Sequence, residues 1–521
     1  MINIYEPNIN QYTETAHKAI NDGWISNHGK FINKSTTTLN DIFKSNYSIL
    51  MSNGTCATHC LFLSLKYKYP TIIKIYMPNN VYIAAWNAAL MVYNMSNLEL
   101  MKMNLDTWNI NTDDEYIMSL ETNTAMLIVH NLGNIVNVPR LKRLRPDIIF
   151  IEDNCEGFTG KYEGIYSGTS DSSLCSAISF YGNKIITTGE GGAFMTQHQD
   201  IYNYIIKVYS QGMSNIRYLH DVHAYNYRMT NIEAAFLYDQ LNDINTILEN
   251  KRKIFKNYEY LLNDLIIQNK IKLFKSEDNT QSADWIFALR IVKNNKTIEE
   301  TIKFFRDNNI DIRPFFYPIN KHGHLSMLEN NDEISNILNR EIIMIPSSPN
   351  ITYKEQIKVI NSIFKFLLFN INLNIIEIKE DNKLLLDNFI TKIRQINDKN
   401  FRYYNKRDTS IIKNHIITVL LFDTSDKNID KAAIGYAHID YDNDKYWFGI
   451  YIDKEYRCKQ IGDLLLKYII SNNKLFNLNE INLSVDIDNI NAIKLYKNNG
   501  FKIVNNENIN TYYLMKKQIA I

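Results

Sequence analysis

Between about residues 40 and 240, short apolar runs alternate with amphipathic stretches of helix length, and this alternation limits the possible folds more than any other feature. Examples of the apolar runs are TIIKIYMP (71–78), AMLIVH (125–130) and DIIFIED (147–153). Alternating strands and helices predict a parallel sheet covered by helices. Because functional side chains in such folds gather at the carboxyl ends of the strands, polar residues directly after each run are candidates for a site.

The domain organisation follows from length and from a change of pattern. A chain of 521 residues is longer than one hydrophobic core normally serves. Residues 246–369 look like a smaller α/β unit that ends in the amphipathic helix YKEQIKVINSIFKFLLF. From about Leu373, the strands LNIIEIKE, HIITVLLF, AAIGYAHID and KYWFGIYID follow in close succession, and one helix and two further strands come after them. We predict a first domain over 1–369, with its large part at about 1–245, and an α+β domain over 370–521.

Composition and charge argue against several classes of protein. The formal net charge is +1, which gives no electrostatic reason to expect nucleic acid or an anionic membrane surface as a partner. No apolar run reaches the roughly 18 residues that a membrane span needs, and MINIYEPNINQYTE does not resemble a secretory signal. The five cysteines are scattered without metal-ligand spacing. We expect a protein of the reducing cytosol without a metal site.

Four polar stretches in the first section contribute the residue types of one kind of site. In MSNGTCATHCLFLSL (51–65), a Gly-Thr turn opens a helix whose free N–H groups and dipole favour a phosphate, although such a turn is also an ordinary helix cap. Asp153 directly follows a buried strand, where a capping or ion-paired carboxylate is the alternative. SFYGNK supplies Ser179 and Lys184, and HAYNYRMTNIEAA supplies Asn226.

Together these stretches contain what a pyridoxal phosphate (PLP) site requires. A lysine binds the cofactor covalently, and a carboxylate keeps the pyridine nitrogen protonated so that the ring can accept electrons. A cradle of N–H groups anchors the phosphate. The lysine in SFYGNKIITTGEGG (179–192), surrounded by small and turn-forming residues, is therefore the candidate for covalent attachment.

The first section resembles the DegT/DnrJ/EryC1/StrS sugar aminotransferases, and among them the perosamine/viosamine-type 4-aminotransferases. The resemblance implies a fold-type I PLP enzyme with a mixed, mostly parallel sheet, helices on both faces and a small C-terminal subdomain. It also implies a nucleotide-linked keto-sugar substrate, L-glutamate as amino donor and a homodimer with shared active sites. The matching stretches are GWISNHGKFI (23–32), SNGTCATH (52–59), SFYGNKIITTGEGG (179–192), YSQGM (209–213), YNYRMTNIEAA (225–235) and IRPFFYP (312–318).

The resemblance implies the roles of the central residues. Lys184 would bind PLP covalently and move the proton between sugar and cofactor, and Asp153 would pair with the pyridine nitrogen. Tyr82 would stack on the cofactor ring, with a core tyrosine as the alternative. The residues that the resemblance places around PLP are Gly54, Thr55, Tyr82, Asp153, Glu156, Ser179, Lys184 and Asn226.

The remaining members of this set would act at the edges of the cofactor. The backbone at Gly54 and Thr55 would hold the phosphate together with the Ser179 hydroxyl. Glu156 lies beside the cofactor at a position where glutamate is familiar in the perosamine-type branch. Asn226 would reach the phosphate in the neighbouring subunit.

Two stretches of the second section suggest a coenzyme A site. In GIYIDKEYRCKQIGDLLLKYII (449–470), a strand leads through a basic turn into a helix, a geometry suited to a pyrophosphate, although a generic basic loop is the alternative. DIDNINAIKLYKNNGFKIV (486–504) places Asn489 and Tyr496 on a helix that ends at Gly500.

Over roughly residues 373–518 the chain resembles the GNAT N-acetyltransferases, which implies acetyl-CoA as cosubstrate. Asn489 would contact the pantetheine arm, and Tyr496 would protonate the departing thiolate. Gln460 occupies the position of the first motif glycine, so we expect binding to survive if φ is negative there. The residues implied at this site are Ile450, Ile452, Arg457, Lys459, Gln460, Ile461, Gly462, Asn489 and Tyr496.

The general base of the second site is open. Many GNAT enzymes use a glutamate on the strand before the loop, and FGIYI has none. His438 and Asp440 in GYAHID are candidates, with a strand histidine of no catalytic role as the alternative. Transfer to a neutral amine through a water relay is a third possibility.

The two resemblances together predict a bifunctional enzyme of nucleotide-sugar biosynthesis. It would convert an NDP-4-keto-6-deoxyhexose to the 4-amino sugar and then to the 4-acetamido sugar. The fusion favours UDP- or dTDP-linked sugars, with GDP also open. The alternatives are a 3-keto-sugar aminotransferase with a 3-N-acetyltransferase, and an aminotransferase whose GNAT section binds acetyl-CoA without transferring it.

Overall fold

A computed structural model describes residues 1–396, 398, 401, 403–405, 407–425, 433–472, 475, 478–504 and 511–519. It divides into two compact units. Unit 1 comprises Met1–Asn294 and Asn309–Ile351, and unit 2 comprises Asn295–Asn308 and Thr352–Ile521.

Helices and strands alternate along most of the described chain. The helices are α1 (Glu14–Asn21), α2 (Lys30–Phe43), α3 (Gly54–Lys68), α4 (Ala84–Leu90), α5 (Asp114–Met118), α6 (Val138–Leu144), α7 (Gln199–Val208), α8 (Asn231–Asn242), α9 (Ile244–Ile267), α10 (Ile298–Asp307), α11 (Glu333–Glu341), α12 (Tyr353–Asn370), α13 (Leu384–Ile396), α14 (Ile461–Ile470) and α15 (Ile490–Asn498). The strands of unit 1 are β1 (Tyr47–Met51), β2 (Ile75–Pro78), β3 (Leu98–Met101), β4 (Ala125–Val129), β5 (Ile149–Asp153), β6 (Lys161–Tyr162), β7 (Ile165–Tyr166), β8 (Ser176–Ser179), β9 (Gly192–Thr196), β10 (Ile271–Lys272), β11 (Thr280–Gln281), β12 (Ala288–Ile291), β13 (Arg313–Pro314) and β14 (Ile342–Met344). The strands of unit 2 are β15 (Leu373–Glu377), β16 (His415–Asp423), β17 (Gly435–Asp442), β18 (Lys445–Ile452), β19 (Glu480–Asp486), β20 (Lys502–Val504) and β21 (Tyr512–Gln518).

The main sheet of unit 1 is mixed and mostly parallel, as predicted. In the described part of the chain its strand order is β1-β9-β8-β5-β4-β2-β3. Strand β9 runs antiparallel to both of its neighbours, and the pairs from β8 to β3 are parallel. Three of these strands, β2, β4 and β5, are the apolar runs identified in the sequence.

Alternate residues of each strand enter separate cores on the two faces of this sheet. In β4, Met126 and Ile128 pack into one core, whereas Ala125, Leu127 and Val129 pack into the other. Because successive side chains of a strand point to opposite faces, both faces are covered. The predicted layering, with helices on both faces, is confirmed.

Two smaller sheets complete unit 1. Strands β10, β12, β14 and β13 form an antiparallel sheet, and β11, β6 and β7 form another. Helix α10 and, apart from Asn370, helix α12 lie within the predicted first domain, but both belong to unit 2. The sequence-based boundary between 369 and 370 is a different division of the chain and stays a prediction.

Unit 2 is an α+β fold with one sheet in the order β15-β16-β17-β18-β19-β21-β20. The predicted strands are present, but helix α13 separates β15 from β16, so these strands are not in close succession. After β18 the described chain forms two helices and three strands, and the prediction of one helix and two strands is wrong. Asn361 of α12 donates a hydrogen bond to the Tyr468 carbonyl of α14 at 2.8 Å, which places α12 in this unit's packing.

Across the described residues, no helix combines the length and the apolar character that crossing a membrane would require.

Candidate active sites

Three segments of unit 1 meet where the predicted phosphate cradle should lie. Helix α3 begins at Gly54, directly after the cap residue Asn53, whose side chain accepts the Cys56 N–H at 2.9 Å. A Cβ added to Gly54 would lie 2.7 Å from the Cβ of Ser179 and 3.2 Å from the Sγ of Cys155, so only glycine fits. The structure therefore brings the start of α3, with its free N–H groups at Gly54 and Thr55, against the end of β8.

Asp153 ends strand β5 and is 8% exposed. Its Oδ1 atom accepts a hydrogen bond from the Cys155 N–H at 3.1 Å. Its Oδ2 atom has no hydrogen-bond partner among the residues that the structure describes. A carboxylate oxygen without a protein partner at this strand end can accept a hydrogen bond from the protonated pyridine nitrogen of PLP.

The Lys184 amine is held between a carboxylate and an aromatic ring. Its side chain is 13% exposed, and Nζ lies 3.9 Å from Oε1 of Glu156 and 4.0 Å from the centroid of the Trp285 ring. Trp285 also donates from Nε1 to the Asn183 carbonyl at 2.7 Å, and the Tyr5 hydroxyl donates to the Lys184 carbonyl at 2.6 Å. Hydrogen bonds to two successive carbonyl groups, those of Asn183 and Lys184, thus hold the loop that carries the lysine.

Glu156 is a buried carboxyl group that can hold a proton near neutral pH. Its Oε2 atom accepts the Leu132 N–H at 2.8 Å. Burial raises its pKa to about 7, against the opposing effects of the Lys184 ammonium and the Leu132 hydrogen bond. Beside Lys184, it is therefore able to take up or release a proton under physiological conditions.

Tyr82 and Asn226 do not join this group of contacts within the described chain. Tyr82 is 63% exposed and turns its ring edgewise to Phe316 at a centroid distance of 6.3 Å, which rules out the core-tyrosine alternative. Asn226 is exposed and accepts a hydrogen bond from Arg228 at 3.0 Å. The ring-stacking and cross-subunit roles of these two residues stay predictions.

In unit 2, the neighbouring strands β18 and β19 are not paired beyond Trp447 within the described chain, and we call the gap between them the wedge. They run parallel, and among the described residues a single pair, Trp447 and Asn482, is in register. Beyond Trp447, the backbone of β18 through Ile450 and Ile452 has no paired position on β19 in the part of the chain that the structure describes. Unpaired strand backbone can bind an extended chain by hydrogen bonding, as the predicted contact with acetyl-CoA requires.

The turn between β18 and α14 has left-handed backbone at two positions. Cys458 has φ of +60°, and Gln460, the residue before the helix, has φ of +60° and ψ of +7°. The expectation of a negative φ at Gln460 is wrong, because the chain keeps the conformation that the motif's glycine normally supplies. Turns with left-handed residues can point successive N–H groups towards an anion, so the positive φ values leave the predicted pyrophosphate contact possible.

The basic residues of the turn have partners in the protein. Arg457 donates from Nε to the Ile452 carbonyl at 2.7 Å and pairs with Asp398 at 2.5 Å. Lys459 places Nζ 5.4 Å from the centre of the Tyr456 ring. The Arg457 guanidinium therefore stabilises the shape of the turn, and direct binding of acetyl-CoA by its side chain stays a prediction.

Helix α15 presents the two remaining predicted residues. Tyr496 is 7% exposed and lies edgewise to Phe448 of β18 at 6.2 Å. Burial raises the pKa of the phenol, so the hydroxyl is protonated at neutral pH. Asn489 caps the helix by accepting the Ala492 N–H at 3.3 Å. Its predicted pantetheine contact is not tested by this arrangement.

The candidate base residues lie together on one face of the unit 2 sheet. His438 and Asp440 on β17 are neighbours of His415 on β16, and ligand-type atoms of the three residues lie within 4.8 Å of one another. The sequence did not indicate His415, because its position in the cluster depends on the strand register. In unit 1, Trp285 and Tyr5 were missed for a similar reason, since each is more than one hundred residues from Lys184.

Comparisons with known proteins assign a family to each of the two sections of the chain. Residues 8–364 match the DegT/DnrJ/EryC1/StrS aminotransferase family, and residues 391–501 match the acetyltransferase (GNAT) family. The chain is 29% identical over 369 residues to GDP-perosamine synthase from Escherichia coli O157:H7, covering 70% of this chain and 98% of that protein. It is 28% identical over 380 residues to GDP-perosamine synthase from Vibrio cholerae, again covering 70% and 98%.

A solved structure supports the fold. The sugar aminotransferase CalS13 from Micromonospora echinospora superposes with a TM-score of 0.61 at 18% identity, covering 70% of this chain and 99% of that one. The sequence-based recognition and fold class are confirmed. The chain therefore belongs to the DegT/DnrJ/EryC1/StrS aminotransferase family, as a nucleotide-sugar aminotransferase with a C-terminal GNAT acetyltransferase domain.

Proposed function

We propose that the protein converts an NDP-4-keto-6-deoxyhexose to its 4-amino sugar with PLP and L-glutamate, and then acetylates that amine with acetyl-CoA. The observation that carries this proposal is the presence of two complementary sites on one chain. One contains a half-buried lysine, a carboxylate with an available oxygen and a phosphate cradle, and the other contains a strand wedge beside a buried phenol. The first site makes a primary amine, and the second is suited to modify one.

In the aminotransferase site each residue has a defined task. PLP, when bound, supplies the electron sink that makes the proton at the substrate carbon acidic. Lys184 would bind the cofactor and move that proton, while Asp153 would keep a proton on the pyridine nitrogen. Glu156, with its pKa near 7, would hold or release a proton beside the lysine amine. The start of α3 and the Ser179 hydroxyl would hold the phosphate.

In the acetyltransferase site the backbone of β18 would receive the pantetheine arm of acetyl-CoA. The turn before α14 would bind the pyrophosphate with its N–H groups. Tyr496 would donate its proton to the departing thiolate, because its phenol is protonated at neutral pH and lies beside β18.

The substrate is proposed from the relatives. GDP-perosamine synthases among them favour a GDP-linked sugar over the UDP- or dTDP-linked sugars that the fusion alone suggested. The resemblance to the perosamine-type branch favours amination at C4 over C3.

A homodimer is proposed from an exposed apolar segment near Asn226. Large apolar side chains cluster on the surface there, and such clusters mark interfaces. The exposed members of the segment are Met213, Ile216, Tyr218, Leu219 and Val222. A second subunit covering it would bring Asn226 towards the partner's cofactor phosphate.

A substrate panel tests the proposal. The PLP-loaded protein is incubated with GDP-, UDP- and dTDP-linked 4-keto-6-deoxysugars, glutamate and acetyl-CoA, and the products are analysed by mass spectrometry and NMR. We expect a 4-acetamido sugar nucleotide from one nucleotide series. An amine at C3 would favour the 3-amino alternative. Free amino sugar without release of coenzyme A would favour a GNAT domain that binds acetyl-CoA without transferring it.

A further inference from the structure

A cluster of buried proton-carrying side chains lies beside the point where β18 and β19 separate. His438 and Asp440 are on the same face of β17, and in the register of the sheet they lie opposite Gly449 and Trp447 of β18. Trp447 is the residue of β18 that is in register with β19, so Gly449 is two residues into the open wedge. The cluster is thus next to the place where the thioester of acetyl-CoA would lie in the proposed function.

The imidazole of His438 occupies the space that a side chain at Gly449 would fill. A Cβ added to Gly449 would lie 2.3 Å from Cε1 and 2.8 Å from Nδ1 of His438. The edge of the ring that contains Nδ1 therefore lies directly against the β18 backbone. His438 is 1% exposed, and Nδ1 has no hydrogen-bond partner among the described residues. A buried nitrogen without a partner can accept a hydrogen bond or a proton from a bound ligand.

The other ring nitrogen of His438 faces a chain of hydrogen-bonding groups. Nε2 lies 3.7 Å from Oδ2 of Asp440, and that oxygen accepts the Tyr403 hydroxyl at 2.6 Å. The Tyr403 oxygen is 2.8 Å from Nε2 of His415, and Nδ1 of His415 is 2.5 Å from the Thr418 hydroxyl. His415 is half-buried, so this series of hydrogen-bonding groups leads from the wedge towards solvent.

The surroundings of His438 keep its imidazole neutral, which is the protonation state that a general base requires. Burial lowers its pKa, although Asp440 opposes this effect, so the ring is neutral at neutral pH. The titratable groups that face the ring are Asp440, Tyr403, His415 and Tyr436, and Arg407 also acts on it. With a proton on Nε2 directed at Asp440, the lone pair of Nδ1 is available on the side of β18.

The proposed acid and this histidine lie on opposite faces of the same strand. Phe448 contacts Tyr496, and the next residue, Gly449, contacts His438. Consecutive strand residues face opposite ways. An acetyl group at this point of β18 would have a proton donor on one side and a proton acceptor on the other.

We propose that His438 accepts the proton of the attacking amine in acetyl transfer, and that Asp440, Tyr403 and His415 pass it towards solvent. The inference rests on the proposed acetyltransferase function. The amine nitrogen bonds to the thioester carbon, its proton moves to Nδ1 of His438, the carbon–sulfur bond breaks, and the thiolate takes the proton of Tyr496. Tyr496 regains a proton from solvent as the relay releases one, so the sum is amide and free coenzyme A.

The test measures acetyl transfer by the full PLP-loaded protein, with acetyl-CoA and the amino sugar nucleotide that the protein itself forms. His438→Gln should lower kcat by about 10²- to 10⁴-fold, the usual range for a lost general base. Acetyl-CoA binding, measured by calorimetry, should be retained. Equal kcat in parent and variant would overturn the proposal.

The pH profile of kcat/KM separates a base from a structural histidine. The parent should lose activity as pH falls through the pKa of His438, below the usual histidine value of about 6.5. Asp440→Asn removes the carboxylate that raises this pKa, so the acid limb should move to lower pH and the plateau should fall. A lower plateau with an unmoved limb would contradict a base at His438, and this variant decides the matter if His438→Gln fails to fold.

Two neighbouring tyrosines provide a matched pair for the relay. Tyr403→Phe removes the hydroxyl that contacts Asp440 and should lower kcat. Tyr404→Phe removes a buried hydroxyl 2.8 Å from that of Tyr436 and should leave kcat unchanged. Equal effects would contradict the relay, as would activity lost to a chelator and restored by zinc, which would indicate a metal site. A parent protein that acetylates no amine would overturn the proposed function and this inference together, whereas an active parent with active variants would overturn the inference alone.

Discussion

At the scale of single residues, the chemistry of unit 1 depends on which buried lysine binds the cofactor. Lys251 is a second candidate by burial alone, because it is fully buried and its pKa is lowered to about 7 by desolvation. It donates to the Ser347 carbonyl at 2.5 Å, whereas Lys184 lies beside Glu156. The surroundings of Lys184, rather than its burial, therefore make it the lysine that we propose binds PLP.

Lys184→Ala should abolish transamination, because no other amine would be placed to bind PLP and move the substrate proton. Acetyl transfer to a supplied 4-amino sugar should remain. Borohydride treatment of the PLP-loaded parent should attach the cofactor mass to the peptide with Lys184, as read by mass spectrometry. Lys251→Met is the matched control and should keep transamination. Cofactor mass on the Lys251 peptide would show the assignment to be wrong.

Glu156→Gln should change how stability depends on pH. A carboxyl group whose pKa rises on folding stabilises the fold below its unfolded value and loses that contribution as pH rises through the folded value. For Glu156 these values are 4.5 and about 7. The variant stays neutral, so its stability relative to the parent should increase across this window, by up to about 3 kcal/mol.

The measurement for Glu156 is thermal unfolding of the cofactor-free protein between about pH 4 and 8, a range that includes both pKa values. Glu163→Gln is the control, because the Arg143 ion pair lowers the pKa of that exposed carboxyl, so its difference in stability from the parent should stay nearly constant above about pH 5. A constant difference between parent and Glu156→Gln would mean that folding does not raise the pKa of Glu156.

Residue types at strand ends predicted part of this site. Asp153 was identified because it directly follows an apolar strand run, the Gly-Thr turn at Gly54 because it opens a helix, and Ser179 through the family resemblance, and the structure places all three at the same edge of the sheet. Trp285 and Tyr5 were not identified, because they reach Lys184 through tertiary packing that no local pattern encodes.

At the scale of elements, the turn before α14 shows where local rules fail. A non-glycine residue rarely has positive φ, so a glutamine at the motif's glycine position predicts a negative φ. The structure has φ of +60° at Gln460, because the turn must connect β18 to α14 in a fixed geometry. The conformation costs roughly 1–2 kcal/mol for a residue with a side chain.

Gln460→Gly should therefore stabilise unit 2 by about 0.5–1 kcal/mol, after the greater chain entropy of glycine in the unfolded state is subtracted. Thermal unfolding monitored without acetyl-CoA measures this change. Cys458→Gly should act in the same direction, since its φ is also +60°. Lys459→Gly in the same turn should destabilise, because Lys459 is not among the residues with positive φ. If all three glycine substitutions destabilised the protein, the positive φ values at Cys458 and Gln460 would not be a source of backbone strain.

The other element-scale errors have a similar origin. Helix α13 was missed, because the strand-like runs on either side of it dominated the interpretation of LLLDNFITKIRQI. The separation of β18 from β19 was not predicted from the sequence, because the parallel pairing joins Trp447 to Asn482, far apart in the sequence.

At the scale of the whole molecule, the proposed homodimer with shared active sites makes a prediction about mixed dimers. Lys184→Ala and Asn226→Ala dimers should each transaminate poorly. Subunits mixed after reversible dissociation should regain activity, because one site of a hybrid dimer then has both Lys184 and the partner's intact amide. Steady-state transamination before and after mixing measures this. Activity that stays at the level of the separate variants would argue against Asn226 acting across subunits.

The central claim is that one chain forms an amine and then acetylates it, and Tyr496→Phe tests this most directly. The variant keeps the ring and its packing against Phe448 but lacks the hydroxyl that would protonate the thiolate. Loss of a general acid costs about 10²- to 10⁴-fold in rate. The measurement is a time course of sugar-nucleotide masses from keto-sugar, glutamate and acetyl-CoA. The account predicts accumulation of free amino sugar at the parent's transamination rate with little acetylated product, and acetylation at the parent's rate would contradict it.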